Sequence, residues 1–205
     1  EKYASGFYPT ISGVGRSINY YPIGDEKAEE GIVELALGLG KYIVDGGLCL
    51  RVCPYHTDKV LQTSEMEIAL RETQTRFYAL DVDVDGTDGK GEPMQFQVDD
   101  AFNLKKVTVR DADKDGSLQW IVSTYDPYDQ CIYEGYYEGK NRKIISFSGV
   151  LQNGVFPLPE LLQKVLKYGQ KEMGRPVEIE FAVNLHENKT GEFYLLQIRP
   201  MVDNQ

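Results

Sequence analysis

Three side chains late in the chain, Glu180, Gln197 and Arg199, are of the types that hold a metal-bound phosphate. Magnesium takes hard oxygen ligands and fills the rest of its shell with water and phosphate oxygens, so one carboxylate and one amide oxygen are a sufficient protein share. The planar guanidinium fork of an arginine matches a phosphate with paired donors. Alternation along strands could bring the three together. In VEIEFAV, Val177, Ile179, Phe181 and Val183 point one way and Glu178 and Glu180 the other; in FYLLQIRP, Gln197 and Arg199 share a face with Phe193 and Leu195. A hairpin across the polar segment 184–192 that sets Val183 opposite Tyr194 also sets Glu180 opposite Gln197 and Glu178 opposite Arg199. Cross-strand Cβ atoms lie about 4.5–5.5 Å apart, so one ion or phosphate could touch several of these groups. A slip of one residue would scatter them. The same register also describes a plain hairpin, with a Glu178–Arg199 ion pair beside a neutral Glu/Gln pair and no ligand.

Other spacings compete for attention. Residues 81–92, DVDVDGTDGKGE, carry Asp81, Asp83, Asp85, Gly86 and Glu92 at the first, third, fifth, sixth and twelfth positions of a calcium loop. A strand-like approach and Pro93 at the exit are foreign to the helices that normally flank such a loop. A second DxDxDG, at Asp111, Asp113, Asp115 and Gly116, has Val122 where the twelfth-position acid belongs. Both read as solvated acidic turns, with a non-enzymatic calcium-binding or structural β-rich module on the 81–92 loop as the alternative. Gly38-Leu39-Gly40-Lys41 fails as a phosphate loop, because Leu35 replaces the first glycine and Tyr42 the closing Ser or Thr. Cys49, Cys53 and His56 could begin a zinc site completed by Cys131 or an acid, but alternate burial on a strand explains the two cysteines as well. His56 and His186 are the only histidines, and packing or surface roles are expected for both. The tyrosines 133, 136 and 137 read as sheet packing.

The elements that must position these groups follow from hydrophobic period and punctuation. Residues 31–53 read as a short helix between two strands, with breaks at Gly38–Gly40 and Gly46–Gly47. Ser64 three residues before Glu67 suggests a capping box opening a helix of about three turns over 64–75. Strands are expected at Phe77–Val84, Met94–Val98, Lys106–Val109 and Leu118–Ser123. The clearest helix is 159–173: Pro159 sits in the first turn, Leu161, Leu162, Val165, Leu166 and Met173 form one face, and Gly174 closes it. The whole is an α+β chain, mainly antiparallel sheet with a few helices. Residues 1–205 form one domain fragment carrying an acidic irregular insertion at 81–116. With 41% hydrophobic and 26% charged residues the chain is globular. Twenty-two basic against 32 acidic residues, a net charge of −10, disfavour nucleic acid and anionic lipid as partners. No run is long and apolar enough for a membrane span. Three cysteines without a disulfide framework fit a reducing, cytoplasmic location.

The stretch PVEIEFAVN, a loop, then FYLLQIRP resembles the closing hairpin of the ATP-binding domain in the phosphoenolpyruvate synthase and pyruvate phosphate dikinase family. Upstream, Ser12-Gly13-Val14 resembles the family's SGV turn. Glu34, Ala36, Gly38-Leu39-Gly40 and Val44-Asp45-Gly46 resemble its E-A-x-x-G-L-G-E-x-V-x-G pattern, with Lys41 where the family carries Glu. The resemblance implies an ATP-grasp-like fold holding ATP and Mg2+, with Glu180 and Gln197 as metal ligands and Arg199 as the nucleotide-phosphate contact. It implies no catalytic nucleophile in this chain. The acceptor would be a histidine on another domain, and the partners would be an upstream ATP-grasp lobe, a phosphohistidine domain and a pyruvate-binding domain. The chain on its own is expected to have little or no kinase activity and to bind ATP weakly.

Overall fold

The structure, a computed structural model, describes residues 1–81 and 104–202. Its strands in chain order are β1 (Lys2–Tyr3), β2 (Gly6–Phe7), β3 (Ile11–Arg16), β4 (Ile32–Ala36), β5 (Leu50–Val52), β6 (Arg76–Leu80), β7 (Leu104–Thr108), β8 (Val122–Asp126), β9 (Cys131–Glu134), β10 (Lys143–Ile145), β11 (Val177–Leu185) and β12 (Gly191–Pro200). The α-helices are α1 (Lys41–Val44), α2 (Met66–Glu72), α3 (Val109–Asp115), α4 (Ser148–Leu151) and α5 (Leu158–Met173). Three sheets form, ordered β12-β11-β3-β4-β5, β1-β2-β6-β7 and β10-β8-β9. Every described pairing is antiparallel, as expected for this α+β fold. No helix among the described residues is long and apolar enough to cross a membrane.

The five-stranded sheet has two unlike faces. One carries Ile11, Val33, Leu35, Leu50, Val52, Val177, Ile179, Phe181 and Val183, all buried, and α5 lies over it with Leu158, Leu162 and Leu166 inward. Helix α5 ends at Gly174 in the left-handed conformation (φ 66°), the closure its sequence promised. Gly13 is required here: a Cβ on it would stand 2.2 Å from the Phe181 ring. Phe181 in turn stacks on Phe193 with ring centroids 5.3 Å apart. Small-against-large packing of this kind pins the β3–β11 register (Gly13 opposite Phe181), and so decides which residues of β11 face the other way. Ser12-Gly13-Val14 is therefore the middle of a strand, where a turn was expected.

Several local expectations give way to tertiary context. The Ser64 hydroxyl donates back to Leu61 O at 2.8 Å, closing a 3-10 turn, and α2 begins only at Met66 and runs seven residues. Strand β6 ends at Leu80, β7 begins at Leu104, and Val109 opens α3. Residues 118–121 form a turn before β8, with Leu118 and Ile121 buried. The expected strand Met94–Val98 and all of the calcium-loop string beyond Asp81 lie outside the described residues.

The second DxDxDG is a helix rather than an acidic β-turn. Thr108 caps α3 by accepting from Asp111 N, while Thr108 N donates to the Asp111 carboxylate, and Gly116 closes it at φ 78°. Each acid is committed. Asp113 accepts from the Tyr136 hydroxyl at 2.6 Å and pairs with buried Lys143 at 3.4 Å. Asp115 accepts from the Tyr8 hydroxyl at 2.6 Å and from Ser5 N at 3.2 Å.

Candidate functional site

The second face of the five-stranded sheet carries a polar band built by strand alternation. Cross-strand rows place Arg199, Glu178 and Arg16 side by side, then Gln197, Glu180, Val14, Glu34 and Arg51. The expected pairs Glu178–Arg199 and Glu180–Gln197 are both present. The expected partner of Val183 is not, because the register shifts between Glu180 and Phe181: Leu196 is extra, and Val183 faces Phe193 instead of Tyr194. A β-bulge of this sort adds one residue to one strand and reverses the side-chain phase beyond it. Here it turns Phe193 into the core while Gln197 and Arg199 stay on the polar face.

Within the band, Glu178 is the hub. Its carboxylate accepts from Arg16 Nε at 3.0 Å through Oε2, and from Arg199 Nε at 3.2 Å through Oε1, with Arg199 Nη2 on the same oxygen. Arg16 also reaches Glu34 at 3.6 Å. Burial by itself would raise the Glu178 carboxyl; the hydrogen bond from Arg199 and the charges of both arginines outweigh it and hold the group below the usual carboxylate range. Arg199 is correspondingly raised, by its hydrogen bond and charge attraction to Glu178, with a smaller share from Glu180. One carboxylate thus aims two guanidinium forks.

Glu180 and Gln197 are different. Directly paired in the ladder, half-buried and exposed respectively, they make no side-chain hydrogen bond or ion pair with any described residue, and Glu180 adds only its charge near Arg199. A carboxylate and an amide oxygen left open beside fixed guanidinium groups are a hard-oxygen donor set, which fits a magnesium ion carrying phosphate. The bland ion pair and the open pair coexist, one row apart.

A short cap covers the other end of this face. Gly38 packs where a Cβ would meet Phe77 and Tyr78, at φ 85°, and Ser12 Oγ donates to its carbonyl at 2.6 Å. Helix α1 follows, its Ile43 buried against Val14 and Ala36 beside Tyr42 and Cys49. Lys41 lies in its first position and donates to Asp45 at 3.0 Å along the helix. A separate cavity of about 1030 Å³ opens on the β5 side, lined in part by Glu26, Arg51, Val60, Met66, Ser123 and Ser148; Arg51 is its link to the polar band.

The three residues proposed from sequence for zinc are not brought together. Cys49 donates to Glu34 at 3.8 Å, whereas Cys53 and His56 converge on Glu30. His186 is held by Glu192 at 2.8 Å, which raises its pKa. Tyr133 and Tyr137 pack edge to face at 5.9 Å. Sequence reasoning missed Arg16 and Glu34 as members of the band. Their signal was alternation in ISGVGR and IVELA, legible only once β3 and β4 are known to adjoin β11.

Residues 4–205 match the family described as pyruvate phosphate dikinase, AMP/ATP-binding domain. No curated protein matches the chain.

Proposed function

Since the chain belongs to the pyruvate phosphate dikinase AMP/ATP-binding domain family, we propose that its polar band is the place where Mg2+ and the ATP phosphates meet. The fold is of the ATP-grasp type and the domain is an ATP-binding one. The observation that carries the finer reading is the unpartnered Glu180–Gln197 pair standing beside Arg199, itself oriented by Glu178. In this reading Glu180 and Gln197 hold the ion, which when bound would draw negative charge away from the phosphate oxygens. Arg199 gives its remaining donors to a phosphate. Glu178 and Arg16 are positioning residues: they keep the guanidinium plane in place before ligand arrives, so little reorganisation is needed when charge shifts.

The phosphoryl acceptor in this proposal is a histidine on another domain of the parent enzyme. Neither histidine of this chain adjoins the band, since His56 sits against Glu30 and His186 against Glu192. An upstream lobe, a phosphohistidine domain and a pyruvate-binding domain complete the same proposal. The cysteines are free, which supports a reducing compartment, the cytoplasm.

Calorimetric titration with ATP in the presence and absence of Mg2+ tests the reading. Wild-type chain should bind ATP with Mg2+-dependent affinity. Glu180→Ala and Gln197→Ala should lose the Mg2+ dependence, and Arg199→Ala should weaken ATP with or without the ion. Mg2+-dependent binding undiminished in Glu180→Ala would remove the site from this face.

A further inference from the structure

A second cluster, remote in role from the polar band, joins three different ligand chemistries. Glu30, Cys53 and His56 present one ligand atom each, all within 4.8 Å of one another. His56 Nε2 lies 2.9 Å and Cys53 Sγ 3.7 Å from the same oxygen, Glu30 Oε2. A tetrahedral zinc ion stands about 2.0–2.3 Å from N, O and S ligands, so its ligand atoms must lie roughly 3.2–3.8 Å apart. The observed spacings need only small side-chain adjustments to meet that.

The backbone explains why these three groups meet. His56 N donates to Cys53 O at 3.0 Å, closing a four-residue turn through Pro54 that sends both side chains the same way. Glu30 ends a 3-10 turn in which its N–H donates to Lys27 O at 3.1 Å and its carboxylate accepts from Lys27 N at 3.0 Å. The segment before β4 is also tied down elsewhere, by Arg51 to Asn19 and to Tyr21 O, each at 3.0 Å, and by Lys59 to Asp25 at 2.6 Å. The backbone on both sides of the cluster is therefore held by contacts beyond the three ligand groups, while Lys27 N orients the Glu30 carboxylate itself.

The site is graded from dry to wet. Cys53 is fully buried, while the Glu30 and His56 side chains are about one-fifth exposed, leaving an approach from solvent. Glu26 adds negative charge next to the thiol. A thiolate, an imidazole and a carboxylate form a borderline-soft donor set suited to zinc and unsuited to magnesium or calcium.

We propose that Glu30, Cys53 and His56 form a zinc site with three protein ligands and a water in the fourth position, clasping the segment before β4 to the turn after β5. On binding, the Cys53 S–H bond breaks, a sulfur–zinc bond forms, and the proton leaves to solvent with no change of oxidation state. The site is independent of the nucleotide reading, and either can fail without the other.

Equilibrium dialysis of the full chain against buffered Zn2+, with metal analysis and cobalt substitution, tests it. Wild-type chain should retain one zinc per molecule. Its cobalt form should show a thiolate-to-metal charge-transfer band. Cys53→Ser and the partly exposed His56→Gln should each lower zinc affinity by on the order of 100-fold or more, and Cys53→Ser should abolish the band. Cys49→Ser should bind like wild type. Unfolding curves in chelator identify any variant that has lost its fold, and His56→Gln decides if Cys53→Ser has. Absence of stoichiometric zinc in wild type, equal retention by folded His56→Gln, or an equal loss in folded Cys49→Ser would overturn the proposal.

Discussion

The acids of α3 and the acids of β11 have nearly the same sequence appearance and opposite fates. Asp111, Asp113 and Asp115 recur at every second residue, as Glu178 and Glu180 do. On the helix each one is consumed by a neighbour: a cap, a buried lysine with a tyrosine, a second tyrosine with a backbone amide. On the strand Glu178 is consumed by two arginines, and Glu180 is left open. Carboxylates at ligand-like spacing become a site only where the surrounding fold leaves one of them unsatisfied beside oriented donors. The acids of α3 hold structure together; Glu180 costs the fold little and is available for chemistry.

Replacing acids in turn should separate the two regions. The largest effect on stability is expected from Asp113→Ala. It strands the ammonium of Lys143, whose side chain is 2% exposed, leaving it, among the described residues, the Gly139 and Asn141 carbonyls and the Tyr136 ring. Breaking a buried pair in this way costs about 3 kcal/mol, read as a lower midpoint in urea unfolding. Asp115→Ala comes next, at about 1–3 kcal/mol, because Ser5 N loses its acceptor and the Tyr8 hydroxyl is left with Ser117 Oγ. Burial, then the hydrogen bond to Asp115, pushes the Tyr8 phenol upward, so it remains a donor across the accessible pH range. Neither substitution should alter Mg2+-dependent ATP binding beyond what loss of folded protein explains. A folded Asp113 variant with specifically weakened nucleotide binding would break the contrast.

Glu178 stands between the extremes, and pH exposes it. Its folded-state pKa is depressed, so the stability it contributes is present above the unfolded value of about 4.3 and is lost as pH falls through the folded value. Wild type should lose more stability than Glu178→Gln between pH 7 and pH 3; parallel losses would mean that the arginine pairs add nothing. The smallest change is expected for Glu180→Ala, within about 0.5 kcal/mol of wild type at neutral pH, although it should abolish the Mg2+ response. A clear loss of stability in that variant would show Glu180 to be as structural as the acids of α3.

How much of this was visible in the sequence depended on the range over which each signal acts. Helix α5 and the hairpin strands were legible because their period is internal: Leu162 and Leu166 repeat one turn apart, and Glu178 and Glu180 alternate with buried neighbours. The Glu180–Gln197 pairing was expected from alternation together with a register that set Val183 opposite Tyr194; the pairing holds although that anchor does not. The bulge at Leu196 did not, since an extra residue leaves no local mark in a run of apolar side chains. Arg16 and Glu34 join the site from strands that are distant in sequence and adjacent only in the sheet order. At Ser64 and at Asp111–Asp115 the local pattern was real, but long-range packing chose among its uses: Ala69 in one case and Tyr8 with Lys143 in the other.

The extra residue in β12 resets the count of the ribbon midway along its length. The half toward the turn keeps Phe193 stacked on Phe181, and the other half keeps an amide and a guanidinium in step with their acids. Paired without the bulge, the same residues would share one frame, and Tyr194 would replace Phe193 opposite Val183 if the acid-facing half held firm. One strand thereby presents opposite phases at its two ends, an aromatic ring to the core near the hairpin's tip and polar side chains to the acids of β11 farther along.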